Sequence, residues 1–367
     1  MSKVFFADMR ASHKENLFDK IAKLLTLCGL AQRVQEGDLT AVKIHFGEKG
    51  NSAFIRPIFA RRVVDELKKL GAKPFLTDSS TLYPGERKEA VSALACGIEN
   101  GFAYAVVNAP LIISDGLRGV TETTVPIQGE LLKEVYIGTE IVEADALVAL
   151  SHFKCHELTG FGGAIKNLGM GCASRKGKLV QHSTVAPVVT AKHCTGCGLC
   201  IRACAHDAIR IIDGVAFIDA ARCAGCSRCI TVCPTKAVAI QWNEAAELVM
   251  RKMAEYATGA VSNKQGKTVY LNFITQVSPA CDCYGHCDAP IVNDIGICAS
   301  SDPVALDQAC ADLVNQAQGN PNSALKSGHE PGGDKFRGVW PEIPWQVQLE
   351  HAEKLGLGSR GYELVKL

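Results

Sequence analysis

The sequence lacks an excess of charge of either sign, and it lacks a long apolar run. Its 39 Lys and Arg residues face 38 Asp and Glu residues, which argues against a broad nucleic-acid footprint or a polybasic membrane patch. No apolar stretch approaches the ~20 residues that a membrane-spanning helix needs. The start MSKVFFADMR has neither the apolar core nor the cleavage site of a secretory signal. We therefore expect a cytoplasmic protein without a membrane span and without a nucleic-acid partner.

Two kinds of catalytic signature are missing as well. Neither the Walker A pattern nor G-x-G-x-x-G occurs, so no nucleotide can be assigned. No nucleophile stands beside an obvious base, so the sequence names no reaction and leaves open whether the protein is an enzyme.

Cysteine, in contrast, is abundant. The chain of 367 residues contains 17 cysteines, with 47% hydrophobic and 21% charged residues. These proportions are typical of a folded globular protein, and the length allows two or three domains. In a chain without secretory features, so many thiols indicate metal or cluster ligands rather than a disulfide framework.

Strand-like and helix-like stretches alternate along the first 180 residues. The predicted strands cover 4–7, 41–46, 73–77, 103–107, 111–113 and 144–150. Helices are predicted from Leu17, from Pro57 and over 86–99. Further strands are predicted over 268–274 and 291–297, and Ser301-Asp302-Pro303 predicts a helix start. The alternation predicts an α/β fold with a mixed or mostly parallel sheet.

Polar residues follow several of the predicted strands, namely His45 with Glu48, Asp78, Asp115 and His152. Since ligand crevices of open α/β sheets lie beyond the carboxyl ends of the strands, these side chains could converge. Each taken alone is better explained as a turn or cap residue.

The stretch from residue 188 to 242, which we call the cysteine-rich segment, differs from its surroundings. It holds eight of the 17 cysteines. Because the α/β pattern resumes after it, we predict a small ferredoxin-like α+β module inserted into one α/β domain. That domain is then formed by residues 1–187 and 243–367, the latter with an irregular tail.

The cysteine-rich segment carries an internal repeat. The pattern C-x-x-C-x-x-C-x-x-x-C occurs twice with a shift of 29 residues, at Cys194, Cys197, Cys200 and Cys204 and again at Cys223, Cys226, Cys229 and Cys233. This is the spacing of bacterial-type 4Fe–4S ligation. Zinc ribbons also use C-x-x-C pairs, but two complete repeats favour clusters.

The repeat resembles that of bacterial two-cluster ferredoxins, in which the fourth cysteine of each run binds the other cluster. The resemblance implies one 4Fe–4S cluster on Cys194, Cys197, Cys200 and Cys233, and a second on Cys223, Cys226, Cys229 and Cys204. Ala205 stands where such ferredoxins usually have proline, whereas Pro234 is kept.

A second group of cysteines lies outside this segment, at Cys281, Cys283 and Cys287 with His286 between them. Thiolates so close together suit zinc, copper or a third iron–sulfur cluster, with Cys155 or Cys172 as candidate fourth ligands. The alternative is that they are reduced thiols without a metal.

A glycine-rich stretch, Gly160 to Gly171, follows a group of basic residues and histidines. Glycine amides can approach and cradle an anion. We expect an anion or substrate site here with His45, His152, Lys154, His156 and Lys166, a tight structural turn being the alternative.

The segments HFKCHELTGFGGAIKNLGMGCASRKGK, CDCYGHCDAP and ASSDPVALDQACADLV together resemble the domain of unknown function 362 family of iron–sulfur proteins. The resemblance covers most of the chain and implies a redox protein of the kind found in anaerobes, often with two 4Fe–4S clusters. Residues within the matching motifs are His45, His152, Lys154, His156, Lys166, Asn167, Cys281, Cys283, Asp302 and Asp307.

Three functions remain open from the sequence. The first is an electron-transfer protein or oxidoreductase component, in which the clusters exchange electrons with a redox protein partner and with a site in the α/β domain. The second is an enzyme whose active site is the glycine, lysine and histidine region. The third is a metal or iron–sulfur cluster carrier using Cys281, Cys283 and Cys287.

Overall fold

Strands and helices alternate from the start of the chain in the computed structural model, which describes residues 1–83, 85–183, 186–241 and 244–367. Residue 242, the predicted end of the cysteine-rich segment, lies outside these ranges. The strands of the described ranges are β1 (Ser2–Asp8), β2 (Leu39–Ile44), β3 (Lys73–Asp78), β4 (Leu111–Ile113), β5 (Glu122–Pro126), β6 (Glu134–Gly138), β7 (Ala146–His152), β8 (Lys154–His156), β9 (Gly160–Gly162), β10 (Val188–Val189), β11 (Ile209–Ile212), β12 (Val215–Ile218), β13 (Val238–Ala239), β14 (Thr268–Ile274), β15 (Gly296–Ser300) and β16 (Tyr362–Lys366).

The helices connect these strands and cover the sheet. They are α1 (Leu17–Leu27), α2 (Leu30–Arg33), α3 (Pro57–Lys69), α4 (Ala90–Gly97), α5 (Tyr104–Val107), α6 (Thr139–Glu143), α7 (Ala164–Gly169), α8 (Arg175–His182), α9 (Leu199–Ala203), α10 (Arg228–Val232), α11 (Ala246–Val261), α12 (Pro303–Gln316), α13 (Lys335–Val339) and α14 (Gln346–Lys354). A π-helical turn covers Ile98–Phe102, and a 3₁₀ turn covers Ala191–His193. None of the helices in the described ranges combines the length and the apolarity needed to cross a bilayer.

Eight strands form the main sheet, in the order β16-β1-β15-β14-β7-β2-β3-β4. The run from β14 to β4 is parallel, as is the β16–β1 pair. Only β15 runs against its neighbours β1 and β14. The predicted α/β fold with a mixed, mostly parallel sheet is therefore confirmed.

Both faces of this sheet are buried. In β7, Leu147 and Ala149 belong to one hydrophobic cluster, while Val148 and Leu150 belong to the other. Successive side chains of a strand point to opposite faces, so this central strand contributes to two cores. That explains its almost continuous apolar sequence, and the helices packed on each side complete three layers.

The described part of the cysteine-rich segment packs around a small core, to which Leu82 and Leu179 from outside the segment also contribute. It contains the antiparallel pairs β10–β13 and β11–β12 together with α9 and α10. Ile209, Ile230 and Val238 pack there with five of the repeat cysteines, which are buried or half-buried. Its limits as a separate module stay a prediction.

Two predicted strands are wrong. Within 103–107, Tyr104–Val107 form the helix α5, which ends where Asn108 takes a left-handed conformation. A four-residue apolar run is too short for periodicity to separate helix from strand. Most of 291–297 is irregular, with Ile291 and Val292 buried in the core, and β15 begins only at Gly296.

Candidate functional site

A cavity of about 530 Å³ opens at the carboxyl edge of the parallel strands. We refer to it simply as the cavity. His45 directly follows β2, Asp78 ends β3 and His152 ends β7, and all three line the cavity. Parallel strands deliver their carboxyl ends to one edge, so residues far apart in sequence meet there.

All five residues of the predicted anion or substrate site line the cavity. They are His45, His152, Lys154, His156 and Lys166. β8 directs Lys154 and His156 to one side, and Cys155 between them lies in the main hydrophobic cluster. His152 and His156 are thus on extended chain, not one turn apart on a helix.

The position of Lys166 depends on a buried carboxylate. Asp307 in α12 accepts the amides of Ala164 at 2.7 Å and Ile165 at 2.9 Å, at the start of α7. It also accepts the side-chain amide of Asn272 at 2.6 Å. Burial raises the pKa of Asp307 to about 6. This network holds α7, and with it Lys166 and Asn167, against the sheet.

Lys43, Asp78 and Arg87 form a buried ionic group in the cavity wall. Asp78 receives Lys43 Nζ at 2.9 Å and Arg87 Nη1 at 3.2 Å, and Arg87 Nε lies 3.4 Å from Glu48. Burial raises the pKa of Asp78, but Lys43 and Arg87 outweigh it and lower the pKa to about 2. Asp78 is therefore ionised and pairs both cations.

His152 is engaged on both sides of its ring. Nδ1 lies 2.8 Å from Asp282 Oδ1, and Nε2 lies 2.8 Å from the carbonyl oxygen of Thr275. Lys154 Nζ lies 3.5 Å from the other Asp282 oxygen. Burial raises the pKa of Asp282, but His152 and Lys154 hold it well below its usual value. Both ring nitrogens have protein partners, so His152 offers neither to a metal.

Lys166 and Lys178 differ from the other cavity cations. Lys166 Nζ lies 3.5 Å from Cys281 Sγ, and Lys178 Nζ donates to Ser79 Oγ at 2.5 Å and to the Ala173 carbonyl at 2.7 Å. In the described part of the chain neither ammonium lies within 4.0 Å of a carboxylate. Burial lowers the pKa of Lys178 to about 8.

The loop after β14 brings two thiols to the cavity. Cys281 Sγ and Cys283 Sγ are 2.9 Å apart, and we call them the Cys281–Cys283 pair. The hydrogen bond between the two thiols and the charge of Lys166 hold the pKa of Cys281 well below its usual value, against the effect of burial. Cys281 is therefore the more acidic thiol of the pair.

His45 contacts this pair from the other side. Its Nδ1 accepts the Gly47 amide at 3.0 Å, and its Nε2 lies 3.6 Å from Cys283 Sγ. Burial, together with Arg87, lowers the pKa of His45 to about 3, so the ring is neutral. Since Nδ1 accepts a hydrogen bond, the single ring proton is on Nε2 and points to the Cys283 sulfur.

The third cysteine of the loop, Cys287, contacts a serine rather than the Cys281–Cys283 pair. Cys287 Sγ lies 3.1 Å from Ser52 Oγ. Among the described residues, no group of three or more His, Cys, Asp or Glu side chains is arranged to hold a metal ion. A metal on Cys281, Cys283 and Cys287 stays a prediction, which this arrangement does not favour. Cys155 and Cys172, the candidate fourth ligands, are buried in the main hydrophobic cluster.

The two ligand sets that the ferredoxin resemblance implies stay a prediction, with which the positions of several repeat cysteines agree. A small cavity in the cysteine-rich segment is lined by Cys194, Cys197, Cys200 and Cys233. In the other set, the Cys223 thiol lies close enough to Cys226 and Cys204 for their charges to raise its pKa, although burial contributes most.

The surroundings of these thiols suit thiolate ligands. The amides of Ala208, Ala216 and Ala237 donate to Cys204, Cys194 and Cys233 at 3.4, 3.4 and 3.2 Å. Hydrogen bonds to sulfur are a feature by which proteins adjust iron–sulfur sites. The cysteines of a 4Fe–4S cluster bind different irons, so they need not converge on one point as the ligands of a single ion do.

Leu82 joins this segment to the cavity. It lines the cavity and belongs to the same hydrophobic cluster as Leu179, Cys200 and Cys229. Its side chain is 2% exposed. One hydrophobic cluster therefore extends from the wall of the cavity to thiols of the repeat.

Sequence reasoning missed Lys43, Tyr83 and Arg87 as cavity residues. Lys43 left a signal, because a lysine inside the apolar run of β2 needs a buried partner. Tyr83 and Arg87 lie in an irregular connection, and no local pattern reports which strand end such a connection covers.

Comparisons with known proteins place the chain by family. The model of a family described as a domain of unknown function (DUF362) matches residues 40–312. No curated protein matches the chain.

Two solved structures show distant likeness. The lactate racemase apoprotein from Thermoanaerobacterium thermosaccharolyticum is 13% identical, with a TM-score of 0.35, over 74% of this chain and 50% of that one. A protein from Thermotoga maritima is 11% identical, with a TM-score of 0.38, over 72% of this chain and 52% of that one. The present chain thus spans about half the length of both.

Proposed function

The chain belongs to the DUF362 family, and we propose that it is an iron–sulfur redox protein in which the cysteine-rich segment passes electrons to the cavity. The observation that carries the proposal is the shared wall. Leu82 lines the cavity and belongs to the same hydrophobic cluster as Cys200 and Cys229 of the repeat, which supports a connection between the two sites.

In this proposal two 4Fe–4S clusters are held by the eight repeat cysteines. One uses Cys194, Cys197, Cys200 and Cys233, and the other uses Cys223, Cys226, Cys229 and Cys204. The cavity lined by the first four thiols and the amides that donate to sulfur support this division. Such clusters supply one-electron transfer, at potentials that hydrogen bonds and exposure set.

A redox protein partner is part of the proposal. Cys197 is exposed, whereas Cys229 of the second set is buried near Leu82. An exposed ligand at one end and a buried ligand at the other suit electron exchange between a surface partner and the cavity. The many free thiols suit a reducing cytoplasmic setting.

The cavity itself suits a small anionic substrate. Its volume of about 530 Å³ is in the range of small-molecule sites. Lys154 and Lys166, with the histidines at positions 45, 152 and 156, supply donors to its wall. Lys166 and Lys178 have no carboxylate within 4.0 Å in the described ranges, so a bound anion would complete their surroundings.

The proposal is tested by purifying the protein without oxygen and recording EPR spectra after dithionite reduction. We expect two interacting paramagnetic centres and a visible absorption that bleaches on reduction. Cys287→Ser is the matched control, because Cys287 lies outside the repeat and contacts Ser52; its spectrum should be unchanged. A protein that stays EPR-silent and colourless after anaerobic purification contradicts the proposal.

A further inference from the structure

The Cys281–Cys283 pair has the geometry of a reactive dithiol. Its sulfur atoms are 2.9 Å apart, whereas a disulfide requires about 2.05 Å. Closing the bond therefore needs a relative movement of less than about 1 Å. Because only Asp282 separates the two cysteines, the bond closes a small ring, which external thiols can reopen by exchange.

The pair is anchored at its backbone and open on one side. The Glu48 amide donates to the Asp282 carbonyl at 3.1 Å, and Asn51 Nδ2 donates to the carbonyls of Tyr284 and His286 at 3.0 Å each. Cys283 lines the cavity, while Cys281 behind it is 1% exposed. One sulfur can meet a substrate, and the other is held ready behind it.

We infer that Cys281 and Cys283 form a redox-active dithiol that reduces small anionic disulfides in the cavity. This activity goes beyond the proposed function and does not depend on the clusters. Lys166 and Lys178 point to an anionic partner because neither ammonium pairs with a carboxylate within 4.0 Å in the described ranges.

The exchange proceeds in two balanced steps. The Cys283 sulfur attacks one sulfur of the substrate disulfide RSSR as its thiol proton is lost, so that a Cys283–SR bond forms, the S–S bond of the substrate breaks and one thiolate leaves. Cys281 then attacks the Cys283 sulfur, the intramolecular disulfide forms and the second thiolate leaves. The two dithiol protons pass to the leaving thiolates, giving protein(SH)₂ + RSSR → protein(S–S) + 2 RSH. Exchange with two external thiols restores the dithiol.

Three disulfides of matched length test the inference on the full chain: anionic 3,3′-dithiodipropionate, neutral 2-hydroxyethyl disulfide and cationic cystamine. The reduced protein is exposed to each without oxygen, quenched with acid and alkylated. Mass spectrometry then counts and locates the blocked thiols. We expect a disulfide between Cys281 and Cys283, formed about tenfold faster with the anionic reagent than with cystamine.

Variants separate this pair from its neighbours. Cys281→Ser should trap dithiodipropionate as a mixed disulfide on Cys283, because the second thiol is missing. Cys287→Ser should react like the wild type, which also keeps the test decisive if Cys281→Ser does not fold.

Two free thiols at 281 and 283 after every reagent, or a bond to Cys287, would overturn the dithiol proposal. A cystamine rate equal to or above the anionic rate overturns the substrate class. Iron content is measured separately, so failure here is distinguishable from failure of the proposed function.

Discussion

Lys166 places its ammonium nitrogen 3.5 Å from the sulfur of Cys281. These residues are 115 positions apart, and α7 and the loop after β14 bring them together. A buried ammonium beside the Cys281 sulfur connects the two chemistries proposed for the cavity, anion binding and thiol exchange.

Replacing Lys166 with Gln should therefore make the Cys281–Cys283 pair harder to ionise. Loss of the cation raises the pKa of the pair, so the pH midpoint for alkylation should rise by about one unit, and the rate at pH 7 should fall about tenfold. The measurement is the pH dependence of iodoacetamide labelling, followed by mass spectrometry. Lys176→Gln is the control, since Lys176 lies over the Tyr136 ring outside the cavity. Equal pH midpoints of labelling in the wild type, Lys166→Gln and Lys176→Gln would contradict the role given to Lys166.

Lys178 should make anion binding depend on pH. Burial lowers its pKa to about 8, so it is charged below that pH and neutral above it. Suberate, the carbon analogue of dithiodipropionate, should bind about tenfold more weakly at pH 9 than at pH 7. Calorimetry of Lys178→Gln should show weak binding with little pH dependence, while Lys176→Gln should follow the wild type. A pH-independent affinity in the wild type would count against this site.

Replacing Asp307 should lower the free energy of unfolding. The Asp307 carboxylate accepts hydrogen bonds from Ala164, Ile165 and Asn272. In Asp307→Asn, an NH₂ group replaces one of the accepting oxygens and cannot accept a hydrogen bond. We expect a loss of about 2–3 kcal/mol in the free energy of unfolding, measured in urea. Asp312→Asn is the matched change on the same helix. Asp312 accepts from Gln308 and Tyr362 at a partly exposed position, and its loss should be under ~1 kcal/mol. Equal losses in the two variants would mean that the buried network does not hold α7.

Cys204→Ser and Cys233→Ser should each affect the cluster of the other repeat. Cys204 lies with Cys223 and Cys226, and Cys233 lies with Cys194 and Cys200 around the small cavity. Each variant should lose about four irons per chain, and EPR should show that different centres are lost. If both variants bind as much iron as Cys287→Ser, the ligand sets are assigned wrongly.

Much of the fold followed from apolar periodicity. The predicted strand 268–274 is β14 residue for residue, and α3 begins at Pro57 as predicted. Prediction failed for short apolar runs such as 103–107, where four or five residues fit helix and strand alike.

The site was predictable to the extent that it lies at strand ends. His45, Asp78 and His152 could be expected together because parallel strands share a carboxyl edge. The contacts of Arg87 and the turn of Cys287 towards Ser52 could not, because they depend on how irregular connections pack.

The most direct test of the central claim is the iron and acid-labile sulfide content of the anaerobically purified chain. Two 4Fe–4S clusters on the repeat predict about eight irons and eight sulfides per chain. Zinc in place of iron, or a chain with neither iron nor sulfide, would contradict the account.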